Sequence, residues 1–326
     1  MDNTRNISID AAKLLAAFGV VMIHLAPSTP AAELLTRIFL DFAVPYFLTI
    51  ALYFFIEKVC RMERFNIIQL HLDRILVPYA IWTIVYLVFR VIKYRVEHKP
   101  FSLDLVPELF YGSSGVQMYF LPLLLLFQAQ ALALLLVLRR PPYRLTAIFI
   151  LIGAGVFSYV GSQGNYLGFQ ASFEKGWIYV LSAFLWRYSQ LNQFGRRVNL
   201  FLGGIIAALT VAATAGDYHA EWLTYMGGPL AGYSIAALAL NLRLPPAGAA
   251  WRFVLSCSYG IYLAHVLFLE TFEFAASRLG YEMTPYAVFT KVLMSLLICS
   301  CCILLVWFIR FNRISAYLLL GETTRP

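Results

Sequence analysis

The stretch that decides the fold is SIDAAKLLAAFGVVMIHLAP, Ser8 to Pro27, near the start of the chain. Most of its side chains are apolar, and it is as long as the roughly 20 residues that a membrane-spanning helix needs. It nevertheless carries Asp10, Lys13 and His24. A charge at the bilayer centre costs about 2.5–3.5 kcal/mol on insertion scales, so such residues usually mark function. The sequence therefore predicts a spanning helix with a functional polar face.

The composition extends this prediction to the whole chain. Of the 326 residues, 61% are hydrophobic and 13% are charged, and the mean hydropathy is +0.73. Soluble domains are about half apolar and a quarter charged, so this chain belongs among membrane proteins. Runs of apolar residues predict an all-α polytopic fold of about ten spans, in a single domain over residues 1–326 with no separate soluble domain. The predicted spans are residues 7–25, 34–56, 75–94, 117–138, 145–161, 173–189, 198–215, 224–242, 254–274 and 286–309.

The basic residues predict the orientation. With the N-terminus inside the cell, most of the 25 lysines and arginines lie in cytoplasmic loops, as the positive-inside rule requires. Both termini are therefore predicted to be cytoplasmic. A basic face toward anionic lipid accounts for the net charge of +8, and no nucleic-acid partner is needed. The five cysteines have neither a metal-ligand spacing nor a disulfide framework, so no metal is predicted.

The polar residues of the first span share one face. Asp10, Lys13 and His24 fall within an arc of about 60° on a helical wheel, and Lys13 and His24 lie about 16 Å apart along the axis. A face with a cation at its inner end and an imidazole at its outer end is predicted to line a water-filled or protein-lined cavity. The alternative is that Lys13 extends to the headgroups, or simply pairs with Asp10.

Two further segments are predicted to reach the depth of His24. Glu33, Arg37 and Asp41 follow a short turn and share one helix face, where a carboxylate can orient the imidazole. The alternative is a ladder of ion pairs that holds two helices together. His265, in SCSYGIYLAHVLFLE, lies at a comparable depth in the ninth span. It is either a second polar residue of the same cavity or a packed, hydrogen-bonded histidine.

Basic residues also stand at the cytoplasmic entry of the third span. His71 and Arg74 precede ILVPY. An arginine at such an entry usually serves the topology, but its guanidinium is also well suited to a phosphate because it binds two oxygens at once.

At this point the chain resembles a known family, the integral-membrane acyltransferases of type 3. The similar segments, in order, are RNISIDAAKLLAAFGVVMIH, FAVPYFLTIALYFF, DRILVPYAIW, VQMYFLPLLL and SYGIYLAH. Lys13 and His24 occupy the places of the family's arginine and histidine, with the same spacing. The lysine keeps the charge but loses the bidentate fork. Tyr119 stands where a tryptophan is usual, and the Ser-Gly pair common in the second span is absent.

The resemblance implies transfer of an acyl group, often acetyl, from cytoplasmic acyl-CoA to a glycan or lipid-linked sugar. We expect such an enzyme in the bacterial cytoplasmic (inner) membrane, with no metal cofactor. The competing hypothesis is a transporter or exporter of a sugar or lipid whose charged face lines its path. The expected roles are catalysis by His24 as general base or transient acyl carrier with Asp41 and Glu33, acyl-CoA binding by Lys13, Arg74, His71 and Asp10, and acceptor binding by Tyr119, His265 and Arg37.

Overall fold

The fold is all-α, as the sequence predicts. The computed structural model describes residues 6–63, 66–70, 72–164, 172–189, 193–215, 221–242, 244–281 and 283–322. It is 82% helical and has no strand within these ranges. An isolated parallel bridge between Pro27 and Tyr286 joins two loops.

Thirteen α-helices lie in the described residues, with short 3₁₀ turns at Ile67–Leu70 and Pro141–Tyr143. Ten of them are at least 18 residues long, and each corresponds to one predicted span. The helices are α1 (Ile7–His24), α2 (Pro30–Arg61), α3 (Asp73–Val96), α4 (Leu105–Phe110), α5 (Phe120–Arg139), α6 (Arg144–Gln163), α7 (Ser172–Ser189), α8 (Gln193–Ala215), α9 (Glu221–Asn241), α10 (Ala249–Leu255), α11 (Ser258–Arg278), α12 (Val288–Ile309) and α13 (Arg313–Leu320).

Fewer helices than predicted are long and apolar enough to cross a membrane. Six pass on length and composition among the described residues: α1, α2, α3, α5, α6 with its preceding turn, and α12. The pair α10 and α11 is bent by 61° at its break, and it adds a seventh when the two helices are counted as one span. The helix α7 falls outside because Glu174, Lys175 and Arg187 place three charges in 18 residues. The chain is thus a multi-pass membrane protein, while ten spans and two cytoplasmic termini stay predictions.

The described chain forms two compact units. The first unit comprises Met1–Tyr53 and Leu181–Val306, and the second comprises Phe54–Val180 and Trp307–Pro326. In the first unit α1 packs against α9, α10 and α11. In the second unit α5 packs against α6, and α13 packs against α3.

Small residues let α1 pack closely within the first unit. Its start is capped by Asn6, whose side chain accepts hydrogen bonds from the amides of Ser8 and Ile9. Further along, a Cβ on Gly19 would collide with the ring of Phe39, so glycine is required at this crossing. Lipid is as apolar as leucine, so close packing of small residues, rather than the hydrophobic effect, holds such helices together.

Polar bonds hold the second unit together. Trp82 Nε1 donates to the carbonyl oxygen of Leu319 at 2.9 Å, which docks α13 onto α3. The Tyr317 hydroxyl donates to Asp73 at 3.2 Å. At the other end of α3 the guanidinium of Arg90 forms an ion pair with the buried carboxylate of Glu108.

Candidate active site

His24 is the last residue of α1 and is half-buried. The helix ends there because Leu25 takes an extended backbone conformation (φ −88°, ψ 112°), and the Leu25 amide bonds back to the carbonyl oxygen of Met22 at 3.3 Å. The imidazole therefore sits at a helix terminus, where the peptide dipoles leave partial negative charge on the last carbonyl groups.

His265, on α11, is completely buried. Its Nδ1 lies 2.8 Å from the carbonyl oxygen of Tyr262 and 3.1 Å from that of Ile261. Because a carbonyl oxygen only accepts hydrogen bonds, we assign the ring proton to Nδ1. In the neutral ring Nε2 then carries the lone pair, and it has no hydrogen-bond partner among the described residues. His265 Nε2 is thus a buried atom that can still accept a hydrogen bond.

The structure brings these two histidines together. The ring centroids of His24 and His265 are 5.1 Å apart, with the rings inclined by 36°. The ring of Tyr262 lies 6.4 Å from that of His265, and it stacks in turn on Tyr259. His265 is therefore packed and hydrogen-bonded through Nδ1, which is one of the two alternatives that the sequence left open, and its ring lies beside that of His24. Two adjacent imidazoles with an open lone pair are suited to accept a proton from a hydroxyl group.

Lys13 and Asp10 lie at the opposite end of α1. The ammonium nitrogen of Lys13 is 3.7 Å from the carboxylate of Asp10, which is buried while Lys13 is half-exposed. Since α1 is unbroken from Ile7 to His24, the rise of an α-helix places Lys13 and His24 about 16 Å apart on one face. The pairing with Asp10 occurs, and it leaves part of the lysine accessible.

The polar face of α2 is paired within itself near the N-terminus of the helix. The guanidinium of Arg37 donates to the carboxylate of Glu33 at 2.8 Å, and the Glu33 side chain is 52% exposed. The partner that the structure gives Glu33 is thus Arg37. Asp41 lies one turn deeper on the same face and is half-buried. Pro45, one turn further, has no N–H to offer the Asp41 carbonyl group.

Sequence reasoning did not single out Lys291 as a site residue. The structure buries this lysine completely near the start of α12. Its ammonium donates to the carbonyl oxygen of Leu25, the residue after His24, and to Thr36 Oγ1 at 2.5 Å. A helical-period signal was present: Lys291 is the only charged residue of α12 and lies on its buried stripe with Ser295, Ile298 and Cys302.

The loop before α12 holds the residues that follow His24. The amide of Tyr286 donates to the carbonyl oxygen of Ala26 at 2.7 Å, and the amide of Ser28 donates to the carbonyl oxygen of Tyr286 at 2.9 Å. The Tyr286 hydroxyl donates to Glu273 at 3.1 Å. Burial, and then the charge of Glu273, raise the pKa of Tyr286 above its ordinary value, so the hydroxyl keeps its proton.

Two further predicted residues, Arg74 and Tyr119, belong to the second unit. Arg74, in the first turn of α3, is exposed, and Tyr119, just before α5, is half-buried. His71 lies outside the described residues. Lys58 is close enough to Arg74 for their charges to repel, and its ammonium donates to the carbonyl oxygen of Leu70 at 3.2 Å.

A cleft of about 250 Å³ opens at the ends of α2 and α5. The guanidinium of Arg140 bonds to the carbonyl oxygens of Met62 and Glu63 there. The residues that line it are Val59, Cys60, Glu63, Leu135, Leu136, Arg139 and Arg140.

Comparison with known proteins gives one match. A family model described as an acyltransferase domain matches residues 6–309, which is nearly the whole chain and includes both histidines. No curated protein and no solved structure matches the chain.

Proposed function

The chain belongs to the acyltransferase type 3 family and is a membrane acyltransferase, and from this premise we propose the finer activity. We propose that it transfers an acyl group, acetyl in the simplest case, from cytoplasmic acyl-CoA to a hydroxyl group of a cell-surface glycan or lipid-linked sugar. The observation that carries the proposal is the contact between His24 and His265 at the end of α1.

The donor enters from the cytoplasmic side in this proposal. Acyl-CoA is a polyanion with a long, thin pantetheine arm. We propose that its phosphates bind the ammonium group of Lys13, because cations concentrate an anionic substrate where it enters. The predicted contact of a phosphate with Arg74 is part of the same proposal. The arm then follows α1 over the roughly 16 Å to His24. Asp10 keeps the Lys13 side chain on this face, and His71 is proposed to join the phosphate contacts.

The chemistry follows from the state of the imidazoles. His24 takes the proton of the acceptor hydroxyl group as the hydroxyl oxygen bonds to the thioester carbon. The carbon–sulfur bond then breaks, and the departing CoA thiolate takes that proton from the imidazolium. In the variant route, a ring nitrogen of His24 attacks the thioester carbon, and CoA leaves with the proton that the acylated ring loses. The acceptor hydroxyl oxygen then attacks the acyl carbon, the bond from carbon to the ring nitrogen breaks, and the freed imidazole takes the hydroxyl proton. His265 Nε2 is suited to accept a hydrogen bond from the acceptor or from the His24 ring.

The other predicted residues take supporting roles. We propose that the carboxylate of Asp41, with Glu33, helps to orient His24, and that Arg37 and Tyr119 contact the sugar. The protein is proposed to act in the bacterial cytoplasmic (inner) membrane, where the acyl-CoA pool lies on one face and the glycan on the other. No metal takes part in these steps.

The test is a transfer assay with the purified protein in lipid. His24→Ala is expected to abolish release of CoA and labelling of the acceptor, while the protein still inserts and keeps its melting temperature. The matched control is His98→Asn, since His98 is an exposed histidine at φ 54°, a conformation that asparagine tolerates. Normal transfer by His24→Ala would contradict the proposal.

A rapid-quench experiment with labelled acetyl-CoA separates the two routes. Label on a His24 peptide before acceptor is added indicates an acyl-histidine, whereas label found only on the acceptor indicates direct transfer. A transporter on the same scaffold would give neither CoA release nor label, and would instead move the sugar or lipid across vesicles without acetyl-CoA.

A further inference from the structure

Lys291 is a buried cation with neutral partners. Its side chain has no exposed surface, and its ammonium is bonded to a backbone carbonyl oxygen and a threonine hydroxyl. No carboxylate pairs with it among the described residues. An isolated buried charge costs several kcal/mol unless the surroundings offset it, so a lysine retained at this place requires a physical reason.

The C-terminal end of α1 offsets the cost of burying the Lys291 ammonium. The last carbonyl groups of a helix have no partner within the helix and carry the negative end of its dipole, which stabilises a cation. Lys291 binds the carbonyl oxygen of Leu25, the residue that terminates α1. Its second bond reaches Thr36 of α2, whose hydroxyl in turn donates to the carbonyl oxygen of Ala32 at 2.9 Å. One ammonium thus joins the ends of three helices.

The loop that precedes α12 also holds the loop after His24, by two backbone hydrogen bonds. These are the bonds of Tyr286 with Ala26 and Ser28. They fix the loop, and Lys291 in addition binds the residue adjacent to His24 and ties it to Thr36 of α2. One turn further along α12, Ser295 contacts the sulfur of Met22 at 2.8 Å, so this face of α12 follows the last turn of α1.

We propose that Lys291 is a positioning residue for His24. By holding the Leu25 carbonyl group and Thr36 together, it sets the end of α1 and with it the place of the His24 ring against His265. This inference rests on the proposed catalytic role of His24. Because active-site groups misplaced by about 1 Å can lose 100-fold in rate, its expected signature is a loss of turnover without a loss of donor binding.

The test compares four variants in the transfer assay, each with kcat and the KM for acetyl-CoA measured separately. Lys291→Met keeps the length of the side chain and removes the ammonium; we expect kcat to fall about 100-fold while KM stays nearly constant. Lys291→Arg keeps a donor to the same carbonyl oxygen and should recover part of kcat. Thr36→Val removes one acceptor in an isosteric side chain and should lower kcat less than Lys291→Met does. Ser300→Ala is the matched control on the same helix, because the exposed Ser300 hydroxyl donates to the carbonyl oxygen of Leu296 within α12, and it should keep the original kcat.

A second readout does not depend on activity. Diethyl pyrocarbonate modifies accessible imidazoles, and mass spectrometry of the peptides gives separate rates for His24 and His265. In Lys291→Met the rate at His24 should rise severalfold, because the ring leaves its contact with His265, and the melting temperature should stay close to the original. If His24 proves to have no catalytic role, this readout still tests the positioning.

Three results would overturn the inference. They are an unchanged kcat in Lys291→Met, an equal loss in Ser300→Ala, and an unchanged modification rate at His24 when kcat has fallen. Should Lys291→Met fail to fold, Thr36→Val decides, because it weakens the same contact without removing the charge. An unaltered kcat and an unaltered His24 modification rate in that variant would refute the positioning role.

Discussion

Arg90 in the second unit and Lys291 in the first are both cations that are removed, partly or wholly, from solvent. Their charges are compensated by different kinds of partner. Arg90 is half-buried and meets the buried carboxylate of Glu108. Its other bond goes to the carbonyl oxygen of Ser113 at 3.3 Å. Lys291 is wholly buried and meets a carbonyl oxygen and a hydroxyl.

The difference separates a structural ion pair, Arg90 with Glu108, from a positioning contact, Lys291 with Leu25. An ion pair neutralises both charges and joins two segments wherever it stands, so Arg90 and Glu108 are explained by the packing of α3 against the chain around α4. A cation bound to neutral acceptors depends on a helix terminus for its stability. That terminus is the one that carries His24. The comparison therefore teaches that the partner of a buried charge, rather than its burial alone, indicates what the charge does.

The largest effect on stability is expected at the ion pair of Arg90 and Glu108. Glu108→Ala should lower the free energy of unfolding by about 3 kcal/mol, because it leaves Arg90 without its carboxylate. Denaturant unfolding in mixed micelles measures this. In the double variant with Arg90→Met much of the stability should return. If Glu108→Ala were as stable as the original protein, the distinction between the two sites would be wrong. It would also be wrong if Lys291→Met lost as much free energy of unfolding as Glu108→Ala is expected to lose.

A smaller effect, on binding, is expected at Lys13. Lys13→Ala should raise the KM for acetyl-CoA about tenfold, or about 1.4 kcal/mol, with little change in kcat, because it removes a contact with the donor that does not change in the transition state. Lys13→Arg keeps the charge and should bind the donor at least as well. Steady-state kinetics at varied acetyl-CoA gives both constants. A change confined to kcat would place Lys13 with Lys291, as a positioning residue, rather than at the donor.

The smallest effect is expected at the exposed pair of α2. Glu33→Gln should change the free energy of unfolding by less than about 0.5 kcal/mol, because Glu33 and Arg37 are both solvent-accessible and such pairs contribute little. Denaturant unfolding with and without salt checks this. If transfer fell sharply in this variant while stability held, Glu33 would join His24 in catalysis, as the sequence predicts.

Much of the architecture was predictable because hydrophobic patterning is local. Each predicted apolar run contains one long helix, and the helical wheel of α1 was sufficient to place Lys13 and His24 on one face. The count of spans was harder, because α7 carries three charges and α10 and α11 break at a bend. The break between α10 and α11 places a turn inside a single apolar run, and the hydrophobic periodicity of the sequence does not predict that turn.

The site was predictable only in part. His24 and His265 were singled out from their depth, but two positions 241 residues apart in sequence do not reveal a 5.1 Å ring contact. Lys291 was passed over because a lysine near a helix end usually extends to the headgroups, and nothing in its neighbours shows that Leu25 and Thr36 will meet it. The structure pairs Glu33 with Arg37, one turn away in the same helix, and the predicted role of Glu33 toward His24 stays a prediction.

By itself the sequence determined the all-helical membrane class, the family, and the face of α1 that carries Lys13 and His24, because these follow from composition and from periodicity within single segments. Only the tertiary structure decided which imidazole meets His24, which nitrogen of His265 stays open, and what the Lys291 ammonium binds. Those outcomes depend on how helices far apart in the chain pack, and that packing is set by shape and hydrogen bonding that no local pattern records.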